Sequence, residues 1–145
     1  MELEPVLAPN IILSDGAIRE LGTNKISLIG TFHNFNCPHF PFQSPPFFVT
    51  VSLTNLRGKL ERFKIAIRIE HKASNLVAAS AAIEIGSLAE VKPSEVLQIP
   101  IPMSCNFASA GLYSVVLLVE GEVLASRDLT VMPVTAAPAQ PKQEE

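Results

Sequence analysis

Apolar and polar residues alternate at every second position along most of this chain, the pattern of strands with one buried face. Residues 25–32 set Ile26, Leu28, Gly30 and Phe32 against Ser27, Ile29 and Thr31. Residues 47–53 set Phe47, Val49, Val51 and Leu53 against Phe48, Thr50 and Ser52. The clearest case is 63–70, where Phe63, Ile65, Ile67 and Ile69 face in and Lys64, Ala66, Arg68 and Glu70 face out. No window carries a long 3.6-residue repeat with caps, so the chain reads as strands rather than helices.

Residues 76–85 are rich in alanine, which leaves a short helix as the alternative to a strand there. In 97–103, Leu97, Ile99, Ile101 and Met103 alternate with Gln98, Pro100 and Pro102. Proline cannot donate to a ladder, so this segment is an edge strand or a bulged one. Residues 112–119 and 123–131 flank Glu120-Gly121, a tight hairpin signal. With a short strand at 11–13 the count reaches about eight, with turn signals every ten residues or so, and this is the spacing of an all-β, immunoglobulin-like antiparallel β-sandwich.

At 145 residues the chain has the length of one domain. Its 48% hydrophobic and 17% charged content belongs to a globular fold rather than a disordered one. The sandwich is expected over 1–132, followed at 133–145 by a tail with Pro133, Pro138 and Pro141 among Ala, Gln, Lys and Glu. A net charge of −3 gives no general attraction to nucleic acid or anionic lipid. The acidic opening, interrupted by Pro9 and Asn10, does not read as a secretory signal, and no apolar run approaches the roughly 20 residues of a membrane helix. Cys37 and Cys105 do not amount to a disulfide framework, so a cytoplasmic location is expected.

Ser109-Ala110-Gly111-Leu112-Tyr113 resembles the tyrosine corner of immunoglobulin-like sandwiches, with Tyr113 at the start of strand F and its hydroxyl bonded to backbone upstream. There is no tryptophan, and the Cys…Trp…Cys pattern of antibody domains is absent. A longer resemblance runs through Lys25-Ile26-Ser27-Leu28-Ile29-Gly30-Thr31-Phe32, Phe40-Pro41, Pro46-Phe47-Phe48-Val49 and the Gly111/Tyr113 hairpin. In this order the segments look like an uncharacterised bacterial family of sandwich domains. That resemblance implies the fold and a bacterial, cytoplasmic origin, and it brings no activity or ligand site with it.

Candidate chemistry is sparse. His33, Cys37 and His39 are the one cluster with metal-ligand residue types, but zinc needs four ligands, or three and a water, and Pro38 separates Cys37 from His39. A copper site of the cupredoxin kind lacks its ligand loop, because Cys105 is followed by Asn106, Phe107 and Ala108. Aspartate occurs only at Asp15 and Asp128, there is no Gly-x-Ser-x-Gly elbow, and the seven glycines are too scattered for a phosphate loop. Neither a catalytic activity nor a cofactor is expected. The basic residues Arg57, Lys59, Arg62, Lys64 and Arg68 could take an acidic ligand, but lysines on an edge strand are also the usual guard against aggregation, and Glu61 and Glu70 break the patch.

Strand F departs from simple alternation in being apolar on both sides: Tyr113, Val115, Leu117 and Val119 on one, Leu112, Val116 and Leu118 on the other. If 47–53 is strand C beside F and G, then Phe48, Val116, Leu118 and Leu124 share the outer face of that sheet as a partner-binding stripe, unless the chain's own N-terminal segment or the proline loop covers it. The function expected is therefore a non-catalytic binding or assembly module, contacting a protein partner or a second copy and neither nucleic acid nor membrane. The alternative is a small-ligand or metal-binding protein that uses the 33–46 loop. In the same topology Cys37 and Cys105 fall at opposite ends of the sandwich, too far apart for a disulfide, and should be free thiols.

Overall fold

The structure, a computed structural model, describes residues 11–23, 25–54, 63–85 and 96–134. Among these the elements are β1 (Ile11–Arg19), β2 (Ile26–Phe32), β3 (Asn34–Cys37), β4 (Phe42–Gln43), β5 (Phe47–Thr54), β6 (Phe63–His71), β7 (Val77–Ile85), β8 (Val96–Met103), β9 (Asn106–Phe107), β10 (Gly111–Val119) and β11 (Glu122–Pro133). They form a four-stranded sheet in the order β2-β1-β5-β8, a five-stranded sheet in the order β3-β11-β10-β6-β7, and a small bridge between β4 and β9. This is an immunoglobulin-like β-sandwich. One pair departs from the antiparallel rule, since β3 runs parallel to the end of β11.

The inward faces assigned by alternation are borne out on β5, β6 and β10, whereas on β2 Ile26 and Leu28 lie outside the core. Phe47, Val49, Val51 and Leu53 of β5 face Ile65, Ile67 and Ile69 of β6 and Tyr113, Val115, Leu117 and Val119 of β10 across one core. Burying aliphatic side chains is worth roughly 1.5–3 kcal/mol each, which is what makes the alternating strands stick. At one end of the sandwich the core is aromatic. Rings contact in sequence from Phe32 and Phe47 through Phe35 to Phe107, Tyr113 and His71, with centroids 4.9–5.7 Å apart. The Ala-rich segment is a strand, β7, because its pairing with β6 supplies a ladder that a helix would forgo.

The hairpin at Glu120-Gly121 closes β10 onto β11, both turn residues taking the positive φ of a type I′ turn, 51° and 81°. The ladder slips between Leu117 and Leu118, which pair with Ala125 and Val123, so Leu124 is the extra residue of a bulge. Pro100 and Pro102 lie on the edge strand β8, opposite Thr50 and Phe48. Their ring nitrogens must face away from β5, where no ladder bond is needed.

Two expectations are corrected. Residues 47–54 do not sit beside the F–G hairpin; β5 pairs with β1 and β8, and the neighbour of β10 is β6. The cause is an N-terminal hairpin, β1–β2, and the crossing strand β3, which shift the strand count before β5. Second, Cys37 and Cys105 share one end of the sandwich. Cys37 pairs with Pro133 at the end of β11, and Cys105 exchanges backbone and side-chain bonds with Ser44 beside β9. Both are buried free thiols, but the separation argued from the sequence is not the reason.

Candidate functional site

The tyrosine corner is built as its spacing implies. Tyr113 is buried and its hydroxyl donates to the Ser109 carbonyl at 2.7 Å. Gly111 precedes it at φ 141°, a conformation that L side chains rarely adopt. Tyr113→Phe should cost about 1 kcal/mol, the net worth of one hydrogen bond with a stranded carbonyl. Urea unfolding of the two proteins would show it; equal midpoints would mean the hydroxyl contributes nothing. Beside the corner lies a half-open cleft of about 250 Å³ lined by residues including Pro41, His71, Leu76, Asn106 and Ser109.

The four residues expected to share a stripe are not gathered. Val116 and Leu118 do lie on the outer face of the five-stranded sheet, but Leu124 sits in the bulge and packs against the core. Phe48 belongs to the other sheet. Val116 is only 6% exposed, paired laterally with Arg68 and Ser126. The Arg68 stem is long enough to screen it while its head pairs with Glu70 at 3.1 Å. With Lys64, Glu84 and Asp128 also on that face, it is a mixed, charged surface.

The outer face of the four-stranded sheet is different. Its outward positions are Ile12, Ser14, Gly16 and Ile18 on β1, Ser27, Ile29 and Thr31 on β2, Phe48, Thr50 and Ser52 on β5, and Gln98, Pro100 and Pro102 on β8. None of these carries a charge; charge enters the face only at the hairpin tip, where Glu20 faces Lys25 and its Oε1 accepts from Ser27 Oγ at 3.0 Å. The β1–β2 hairpin also runs on past the start of β5, since β1 pairs with β5 only from Ile11 to Ser14. That overhang carries Ile18 and Ile29, each about half exposed, and ends near Leu21, which is 99% exposed. In the middle of the face Thr50 is buried and its Oγ1 has no hydrogen-bond partner. Reading strand F for two-faced apolarity missed this surface; the signal in the sequence was the run of uncharged residues at alternate positions of four separate strands.

The 33–46 loop does not assemble ligands. His33 Nδ1 accepts from Arg127 Nη2 at 2.7 Å, Cys37 is in the core, and His39 is exposed beside Pro41. Among the described residues no three of His, Cys, Asp or Glu are placed to hold a metal ion. Of the basic cluster, Arg57, Lys59 and Arg62 lie outside the described residues, as do 1–10 and 135–145. Arg127 has another part: its Nη1 donates to the Ile11 carbonyl at 2.8 Å and so ties the two sheets together.

Burial pushes the Cys105 thiol up to about 12 and raises Cys37 in the same direction. A thiol whose pKa is raised by folding contributes fully below its unfolded value near 9 and loses that contribution as pH climbs toward 12. Stability should therefore fall above pH 9, by at most about 1.4 kcal/mol per pH unit for Cys105. Urea midpoints between pH 8 and 11, with Cys105→Ala as control, test this; a slope that persists unchanged in the variant would place its source elsewhere.

A protein-family model described as a family of unknown function (DUF6941) matches residues 10–132. The chain belongs to this family. No curated protein matches it. Among solved structures, a glycosyl hydrolase family 2 member from Bacteroides cellulosilyticus is 14% identical, with a TM-score of 0.47 over 63% of this chain and 13% of that one. A bacterial adhesin from Mobiluncus mulieris that contains intramolecular cross-links is 13% identical, with a TM-score of 0.45 over 70% of this chain and 53% of that one. The chain thus spans a small part of the first and about half of the second. Among the described residues no helix is long and apolar enough to cross a membrane.

Proposed function

We propose that this member of the family is a non-catalytic assembly module that docks a protein through the outer face of its four-stranded sheet. The observation that carries this reading is that, among the described residues, charge on that face is confined to Glu20 and Lys25 at the hairpin tip, in a chain where 17% of residues are charged. A surface meant for water alone has no reason to keep charge off its centre. The projecting β1–β2 hairpin adds exposed Ile18, Leu21 and Ile29 to the same side of the molecule. The chemistry of the partner follows: a flat, uncharged protein surface able to pack on a sheet at about 10 Å. The two buried, unpaired cysteines support a reducing compartment, the bacterial cytoplasm.

The test is a photo-crosslinking amino acid placed at Ile29 or Phe48 in producing cells, with Val123 on the five-stranded sheet as control. One discrete protein adduct, identified by mass spectrometry, is expected from Ile29 and Phe48 and none from Val123. Absence of an adduct from both face positions, or equal labelling from Val123, overturns the reading.

A further inference from the structure

A second surface, separate from the docking face, is the edge formed by β7. A sheet edge presents unpaired backbone groups, and proteins usually blunt it with proline, lysine, a bulge or a short strand. Among the described residues, two of the four edges of the two large sheets are blunted in this way, and a third is interrupted by a glycine in a left-handed conformation. β8 carries Pro100 and Pro102, β3 is four residues long, and β2 contains Gly30 at φ 67°. β7 is nine residues, Val-Ala-Ala-Ser-Ala-Ala-Ile-Glu-Ile, with no proline, lysine or glycine. Its one irregularity, at Ala78, lies near its start, so residues 79–85 form a regular ladder with β6. The inward-facing Ala79, Ala81, Ile83 and Ile85 pack against the core but are only partly buried, as happens where a sheet stops before its core is covered.

We infer that β7 pairs antiparallel with β7 of a second copy about a two-fold axis at Ala82, joining two five-stranded sheets into one of ten strands. The register follows from side-chain size. With Ala82 on the axis, Ala79 meets the second copy's Ile85 and Ala81 meets its Ile83, so every inward pair is small against large. On the outer face Ser80 meets Glu84, and Ala82 meets Ala82. Charge agrees with this arrangement: the two Glu84 side chains stand four residues apart along the ladder, about 14 Å, beyond the screening length of about 8 Å at physiological salt. A two-fold, self-complementary contact is also the commonest way soluble proteins associate. Because the edge and the docking face are different surfaces, this contact stands or falls independently of the proposed function.

The test uses the full chain with Ala82→Lys and Ala82→Glu. Ala82 is exposed on the outer face, so neither variant disturbs the core. Light scattering on wild type at tens of micromolar should give twice the 15.7 kDa chain mass. Each variant alone sets like charges directly opposite each other on the axis and should shift toward monomer, its dissociation constant raised several-fold, up to about fivefold. An equimolar mixture of the two should recover the dimer, because the ammonium introduced in one chain then faces the carboxylate introduced in the other. A monomeric wild type, a variant that dimerises like wild type, or a mixture no tighter than either variant alone would each overturn the inference. Substituting Phe48 or Ile29 should leave this dimer intact.

Discussion

Replacing Phe107 with alanine is expected to cost about 3–5 kcal/mol, the largest loss of any single change considered for this domain. The ring is fully buried and stands in the middle of the aromatic chain that joins the sheets. Its centroid lies 5.1 Å from that of Phe35 on β3 and 5.2 Å from that of Tyr113 on β10. Truncation removes the buried area of an aromatic ring and its ring contacts with both neighbours, and it leaves a cavity. The surroundings are poorly able to fill it. β9 is two residues long and is held in register with β4 through Phe42 and Gln43, and the neighbouring loop is pinned by the exchange between Ser44 and Cys105. At this chain length the loss corresponds to a fall in Tm of about 10 °C or more. Phe107→Leu, which keeps most of the volume, should cost clearly less. A cost below about 1.5 kcal/mol for the alanine variant would show that this end of the sandwich closes without the ring.

Gly111→Ala is expected to be nearly as damaging for a change of one methyl group, about 2–4 kcal/mol in total. The backbone at Gly111 has φ 141°, and holding an alanine there costs of order 1–3 kcal/mol. The added Cβ would also stand 2.7 Å from His71 Nε2. His71 cannot easily withdraw. Its Nδ1 accepts from the Ser74 N–H at 3.2 Å, its Nε2 lies 3.3 Å from the Ala110 carbonyl, and its ring packs edge-on to Tyr113 at 4.9 Å. The strain and the collision can be separated by a double-mutant cycle. In a His71→Ala background the collision is gone and only the backbone cost remains, so Gly111→Ala should be less harmful there, as read from urea midpoints. If the cost is the same in both backgrounds, the contact with His71 contributes nothing and the backbone accounts for the whole effect.

Much of this could be read directly from the residues. Alternation assigned the inward faces of β5, β6, β8 and β10, because on a pleated strand the direction of a side chain depends only on its parity. The proline pair marked β8 as an edge, since a missing N–H is a property of the residue itself. Gly111-x-Tyr113 marked the corner, and Glu120-Gly121 the turn. Other elements escaped. The strand β1, expected only at 11–13, continues through Asp15-Gly16 to Arg19, and β3, β4 and β9 are too short to show a period.

The sequence by itself thus determined that the long alternating segments are strands, which of their faces are buried, and where the F–G hairpin turns, because each depends on neighbours within a few positions. Which sheet a strand joins was decided only by tertiary structure. Residues 47–53 and 63–70 carry the same alternating pattern, and no local feature distinguishes the one that borders β10. The partner-binding stripe drawn through Phe48, Val116, Leu118 and Leu124 failed for that reason, as did the placing of the two cysteines at opposite ends. The uncharged centre of that face emerged only when β1, β2, β5 and β8 were set side by side, because a surface shared by four strands exists only once segments distant along the chain have met as pairing partners.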